Sequence, residues 1–438
     1  GLTISSDTNC LQITGGVSYE FVWGDYEGET STSADGAIAT AQTSPINTII
    51  ADTPKTLSGV GYDSWALPTP GANVDTGGDQ DWHSRVEAWI KFVATADSDF
   101  GPAKAVIRIR ERHYRYTKNE GFGIDSNKNG LLDTNVHGDD TGGAQINEAY
   151  VSIGDSTVIS AGRKGTLMNF NDDVPLNFLG LFNAEKTDLG VKWTKDLIAD
   201  GGHVIQITSD LGNGLSVGAG LEKLDTTGTA VGVLAYAGDG IAAHLTVVAG
   251  GILDGAVNNW GYHAGVSASF DAFKFVAAVA GDDTGYYNAL ASASATFDMF
   301  TIALSGEAVR DVLHSVTDYG FGGSISAGVT EGVQINLGGR WYHDAYDAQA
   351  FGGTADGYQA AVQLVAAVSE SITLTGEVGI YGSNSTATAP VGLNGGNVFY
   401  GAGQVAWAPG GGLTSSLKGE VYSNGAYKAT FKAAKTFE

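Results

Sequence analysis

Leu11-Gln12-Ile13-Thr14-Gly15-Gly16-Val17-Ser18-Tyr19-Glu20-Phe21-Val22-Trp23 is the stretch on which the fold turns. Its odd positions are Leu, Ile, Gly, Val, Tyr, Phe and Trp, and most even positions are polar or Gly. A period of two over this length describes a β-strand with one apolar and one polar face, longer than the usual five or six residues of a globular strand. The pattern recurs. Val86, Ala88, Ile90 and Phe92 alternate with Arg85, Glu87, Trp89 and Lys91, and Val333, Ile335, Leu337 and Trp341 alternate with Gln334, Asn336 and Arg340. Segments at 263–270, 372–381 and 427–437 repeat it.

Two kinds of connection separate these segments. Tight-turn chemistry occurs at residues 97–102, 210–214, 271–272 and 409–412, whereas residues 25–80, 118–145 and 164–186 form long loops rich in Gly, Asp, Asn, Ser and Thr. An up-and-down antiparallel sheet with turns at one end and loops at the other is the rhythm of a transmembrane barrel. Closure removes the edges that so large a sheet would expose. The expectation is an all-β, transmembrane, antiparallel up-and-down β-barrel of 16 to 20 strands, with residues 1–438 as one domain and a water-filled channel inside. Trp23, Trp82, Trp193, Trp260, Trp341, Tyr262, Tyr358 and Tyr427 fall near predicted strand ends, where rings sit at headgroup level. Ala289, Ala291, Ala293 and Ala295 form a small outward set suited to a neighbouring subunit.

Composition narrows the function. With 43% hydrophobic residues the chain can fold, and with 23 Lys and Arg against 48 Asp and Glu it is a poor partner for nucleic acid. The single cysteine, Cys10, excludes an internal disulfide or a CxxC site. No apolar run is long enough for a spanning helix, and there is no secretory-type start, so any export signal is expected to be gone already. The eight histidines are scattered, with no HExxH or GxSxG motif, which argues against an enzyme.

The chemistry concentrates elsewhere. Arg108, Arg110 and Arg112 stand at a spacing of two on the polar face of one strand, and Arg85 and Lys91 face the same way on the strand before it. Arg163 and Lys164 close a later strand and are assigned to the same basic wall. The loop after them, through Leu167, Met168, Phe170 and Leu176, is too apolar to wave in water and is expected to fold inward. Its Asp172 and Asp173, with Glu185 nearby, are the candidate acids opposite the arginines, making a transverse field across a constriction. Asp125, Asn127, Asn129, Leu131 and Asp133 follow the loop order of an EF-hand-type Ca2+ site. Val136 stands where the bidentate Glu belongs, so Asp139 or Asp140 would have to complete a structural calcium site in loop 125–140.

Asp7 to Glu20, the hairpin Ser84–Ile109, and Asn147–Gly154 followed by Ala161-Gly162-Arg163 resemble the first five strands of the alphaproteobacterial (rhizobial and Brucella-type) trimeric outer-membrane porin family. The resemblance covers residues 1–185 and is generic beyond. It implies a homotrimer in the outer membrane of Gram-negative bacteria, in contact with lipid and lipopolysaccharide, passing ions and small hydrophilic solutes by diffusion. It also implies that Arg108, Arg110 and Arg112 match the basic wall and that Asp172 and Asp173 lie in the constriction loop. The chain departs from the family in being longer, in having no second cysteine before Cys10, and in carrying Glu438 after the aromatic Phe437. The alternatives are a porin specific for a sugar or anionic nutrient, with Trp89, Tyr114 and Tyr381 as a lumen track, and a calcium-ordered structural or adhesive surface protein.

Overall fold

A computed structural model describes residues 2–6, 9–25, 81–116, 143–168, 176, 201–312, 315–343, 355–385, 396–423 and 427–437. Strands β1 (Leu2–Ser5), β2 (Asn9–Asp25), β3 (Asp81–Ala96), β4 (Ala103–Tyr116), β5 (Gln145–Gly154), β6 (Thr157–Lys164) and β7 (Gly202–Gly212) open the chain. They are followed by β8 (Leu215–Glu222), β9 (Thr229–Gly238), β10 (Ile241–Gly250), β11 (Asn259–Phe270), β12 (Phe273–Asp282), β13 (Tyr287–Phe297) and β14 (Phe300–Asp311). The last are β15 (Val316–Thr330), β16 (Val333–His343), β17 (Ala355–Ala367), β18 (Ile372–Ser385), β19 (Gly396–Gly410), β20 (Leu413–Tyr422) and β21 (Tyr427–Phe437).

From β2 onward each strand pairs antiparallel with its neighbours in sequence, and β2 also pairs with β21, from Gly15 opposite Phe437 to Asp25 opposite Tyr427. The sheet therefore closes as a barrel of 20 strands, the upper end of the expected range. β1 is extra. It pairs with Cys10–Ile13 of β2. The other flank of those residues is taken by β3, so β1 continues the line of β21 beyond Phe437.

An 11-residue strand such as β7, β13 or β21, rising about 3.3 Å per residue at a tilt of about 45°, spans about 25 Å. That matches the apolar band of a membrane barrel. The outward face is apolar all round: Val17, Ile107, Val151, Ile205, Val247, Phe275, Leu304, Leu337, Val378 and Leu417 are all exposed. Rings gather toward both rims. Trp23 meets Tyr427 at 5.5 Å and Tyr319 meets Trp341 at 5.8 Å toward the loop end, and Phe273 meets Phe297 at 6.0 Å toward the turn end. At the expected turn 210–214, Asn213-Gly214 holds both residues at positive φ (54° and 80°), and Asp239-Gly240 does the same (52° and 77°), the two-residue geometry that lets adjoining strands keep their twist. Every second connection, from β3–β4, β5–β6 and β7–β8 on to β19–β20, turns at this same end, in 2 to 6 residues.

Placing a charge on the apolar belt tests this orientation. Val378→Lys, at a side chain 62% exposed in mid-strand, is expected to cost about 2–4 kcal/mol of stability in phospholipid vesicles. Gln404→Lys, on the inward face in register with Thr375 and Lys418, is expected to cost less than about 1 kcal/mol. Urea titrations of the two variants refolded into vesicles check the difference, and equal costs would reverse the assignment of faces.

Candidate functional site

The inward face carries the chemistry, and register sets who meets whom. Four rows cross β2 to β5. Glu20 lies beside Arg85, Ser18 beside Glu87 and Arg112, Gly16 beside Trp89, Arg110 and Gln145, and Thr14 beside Lys91, Arg108 and Glu148. A β-bulge at Asn147 makes the last row possible, because it lets both Gln145 and Glu148 align with inward-facing arginines although three residues separate them.

Two wall carboxylates each hold two cations. Glu87 accepts from Arg112 Nε at 2.6 Å and Arg85 Nη2 at 3.1 Å. Glu148 holds Lys91 Nζ at 2.9 Å and Arg108 Nη1 at 3.5 Å. Beyond them Glu20 holds Lys432 at 2.8 Å. Arg108 also lies over the Trp89 ring, 5.0 Å from its centroid. The indole itself extends toward β2, where a Cβ on Gly16 would come within 3.0 Å of Trp89 Nε1. Within these rows of β3 to β5 five cations thus face two carboxylates, a local surplus of three positive charges inside a chain of formal charge −25, and Lys104 lies on the same face of β4 toward the turn end. Arginines two apart on a strand are about 7 Å from each other, a repulsion of about 0.6 kcal/mol per neighbouring pair in water. The arc is also wet: the side chains of Arg85 and Arg112 are 42% and 44% exposed.

Much of the inward wall from β7 to β13 is covered. Gln206, Glu222, Thr246, His263 and Asn288 are 2% exposed or less. Part of the cover is the start of the segment after β6. Leu167 N donates to Glu222 Oε1 at 2.8 Å, and Gln206 Nε2 donates to the same oxygen and to the Gly165 carbonyl. Lys164 Nζ in turn donates to Gln206 Oε1 at 2.7 Å. Leu167 lies over Gly220, whose Cβ would meet Leu167 Cδ1 at 3.0 Å. Met168 packs on Val231 and Val248, and Leu176 N donates to Ser292 Oγ on β13. Residues 165–168 and 176 thus rest on side chains of β7 to β13. From β16 to β21 a hydrogen-bonded belt lines the wall: Asn336 to Gln363, Gln363 and Tyr400 to Glu377, and Tyr422 to Glu420. Glu420 sits between Lys418 and Lys428.

The assigned residues divide accordingly. Arg85, Arg108, Arg110 and Arg112 form one inward wall. Arg163 does not join it. It is in register with Ala149 and His203 and alternates with buried Ser160 and inward Lys164, so it is exposed on the outer face at the loop end. Basic character alone placed it with the ladder, whereas strand parity places it outside. Asp172, Asp173 and Glu185 lie outside the described residues, as do the calcium-loop positions Asp125, Asn127, Asn129, Leu131 and Asp133 and the side chains of Tyr114 and Tyr381. Among the described residues no cluster of His, Cys, Asp and Glu could hold a metal. Glu87 and Glu148, the acids that do face the arginines, were not identified as partners from the sequence. The alternation put Glu87 on the polar face beside Arg85, but nothing local links either acid to a strand partner.

No protein-family profile and no curated protein matches the chain. Solved structures do match. The anion-selective porin from Comamonas acidovorans is 12% identical, with 98% of this chain and 100% of that one covered and a TM-score of 0.37. OccK11 (OpdR) of Pseudomonas aeruginosa is 9% identical over 97% of this chain and 96% of its own, with a TM-score of 0.46. OmpT, an outer membrane protein of Vibrio cholerae in its trimer form, is 9% identical over 98% and 100%, with a TM-score of 0.37. Function is therefore read from this chain's own lumen.

The seat of the inward segment can be tested directly. Gly220→Leu fills the space under Leu167 and is expected to raise hydrogen exchange at the Leu167 amide by about tenfold or more as its bond to Glu222 opens. Unchanged protection would show that Leu167 is held independently of that glycine.

Proposed function

We propose that the chain is a passive outer-membrane porin, a water-filled pore through which ions and small hydrophilic solutes diffuse. One observation carries this reading: a closed barrel with an apolar band around its outer face holds a wet arc of ion-paired side chains on its inner face. Charges in that number inside an apolar shell are stable only with water beside them or partners on them, and on β2 to β5 they have both. The open path follows the arginine wall, because the facing arc is covered. Its surplus of positive charge favours anions there, and the fixed Glu87 and Glu148 set the strength of that preference.

The pore works as a homotrimer in which the narrowest point lies between the arginine wall and the segment after Lys164, with Asp172 and Asp173 as its acidic side. The resemblance of residues 1–185 to the trimeric porins supports this. So do the small outward residues Ala289, Ala291, Ala293 and Ala295, which share one face of β13 and would let a neighbour approach closely.

Single-channel recording of the detergent-extracted protein in a planar bilayer tests the proposal. Discrete conductance steps, grouped in threes, are expected; no current from folded, heat-modifiable protein would refute the pore. Glu87→Gln releases Arg85 and Arg112 from their shared acid, and the reversal potential in a KCl gradient is expected to move toward that of chloride. An unmoved potential would take the current path away from this wall.

A further inference from the structure

We infer that Arg110 is an oxyanion-binding contact on the pore wall, taking the carboxylate of small hydroxylated organic acids in transit; the inference rests on the pore reading and deepens it. The four other cations in the rows around it are committed, Arg85 and Arg112 to Glu87, and Lys91 and Arg108 to Glu148, while Lys104 lies apart toward the turn end, in register with Thr95 and Ser152. Among the described residues Arg110 has neither an ion pair nor a hydrogen bond. The reason lies in its row. Its register partners are Trp89 and Gln145, both uncharged, and its neighbours at a spacing of two on β4 are Arg108 and Arg112. No carboxylate of the wall lies in line with it.

Its neighbour across the sheet is committed elsewhere. Trp89, directly across on β3, extends toward Gly16 and is covered by the Arg108 guanidinium, so its ring is drawn to the far side of its row. Arg110 stands near the middle of β4 (Ala103–Tyr116), hence near mid-height of the barrel, with the surplus charge of the arc centred on it. A guanidinium offers a planar fork that matches a carboxylate with two parallel hydrogen bonds. Gln145, in register on the other side, supplies an amide able both to donate to and to accept from a hydroxyl carried next to that carboxylate. The combination fits a hydroxylated organic acid better than an unprotonated inorganic anion, which offers no donor to the amide carbonyl.

Gluconate and its neutral counterpart sorbitol, matched in size, form the test pair. Gluconate added to the full-length protein in a planar bilayer is expected to block current saturably, and sorbitol to reduce it only in proportion to concentration. Arg110→Gln is expected to raise the half-blocking gluconate concentration about tenfold or more, with the open-channel current still present. Gln145→Ala is expected to weaken gluconate block while leaving acetate binding unchanged. Calorimetric titration of the same detergent-solubilised proteins reads gluconate binding without conduction. Binding lost in Arg110→Gln from a protein that passes no current would uphold this contact and overturn the pore reading. Block and binding equal for gluconate and sorbitol, or both unchanged in Arg110→Gln, would overturn the contact and leave the pore standing.

Discussion

An unpaired backbone amide or carbonyl has nowhere to go in an apolar medium, and the architecture of this chain follows from that. Each lipid-facing strand must find partners on both sides, so a sheet with an apolar outer face can end only by meeting itself. The pairing of β2 with β21 meets that demand, and β1 meets the remainder, satisfying the part of β2 that reaches past the end of β21. Alternation then follows without further instruction. Once one face is committed to lipid, the other is committed to the lumen, and the inward side chains of all strands join the same enclosed space.

Within that space two solutions to the same problem coexist. On the arc from β7 to β21 many inward polar groups are buried, and some form a hydrogen-bonded chain, from Asn336 through Gln363 and Glu377 to Tyr400. On β2 to β5 they remain wet and are balanced by charge. The second solution keeps long side chains in place at low energetic cost, because partly exposed ion pairs lose little hydration. It also leaves an imbalance, since two carboxylates cannot neutralise five cations. Selectivity in a wide pore depends on such residues of charge more than on any single contact.

Much of this was legible in the alternation. The apolar rows of β2, β3, β11, β16, β18 and β21 all face outward as their period predicted, and the tight turns fell where Asp, Asn and Gly cluster. What local pattern cannot supply is register across strands. That Lys91, Arg108 and Glu148 form one row depends on two hairpins and a bulge, and the bulge at Asn147 inverts the parity that simple counting assumes. Arg163 shows the opposite lesson: counting from Ile159 and Ala161 puts it outside, and only its charge argued otherwise. The apolar Leu167, Met168 and Leu176 in a glycine- and asparagine-rich setting signalled a packed segment, though not which strands would receive it.

The closing seam has a consequence for how the barrel forms and fails. Among the described strands, every pairing but one joins neighbours in the chain, through connections that a growing hairpin can close quickly. The exception brings Gly15 against Phe437, across nearly the whole length of the polypeptide. Its loop entropy is met last, when all other strands are in place, so the seam belongs to the late side of the folding barrier. Contacts there, including Tyr19 with Phe431 and Trp23 with Tyr427, therefore govern how long the assembled barrel survives rather than how fast it is reached.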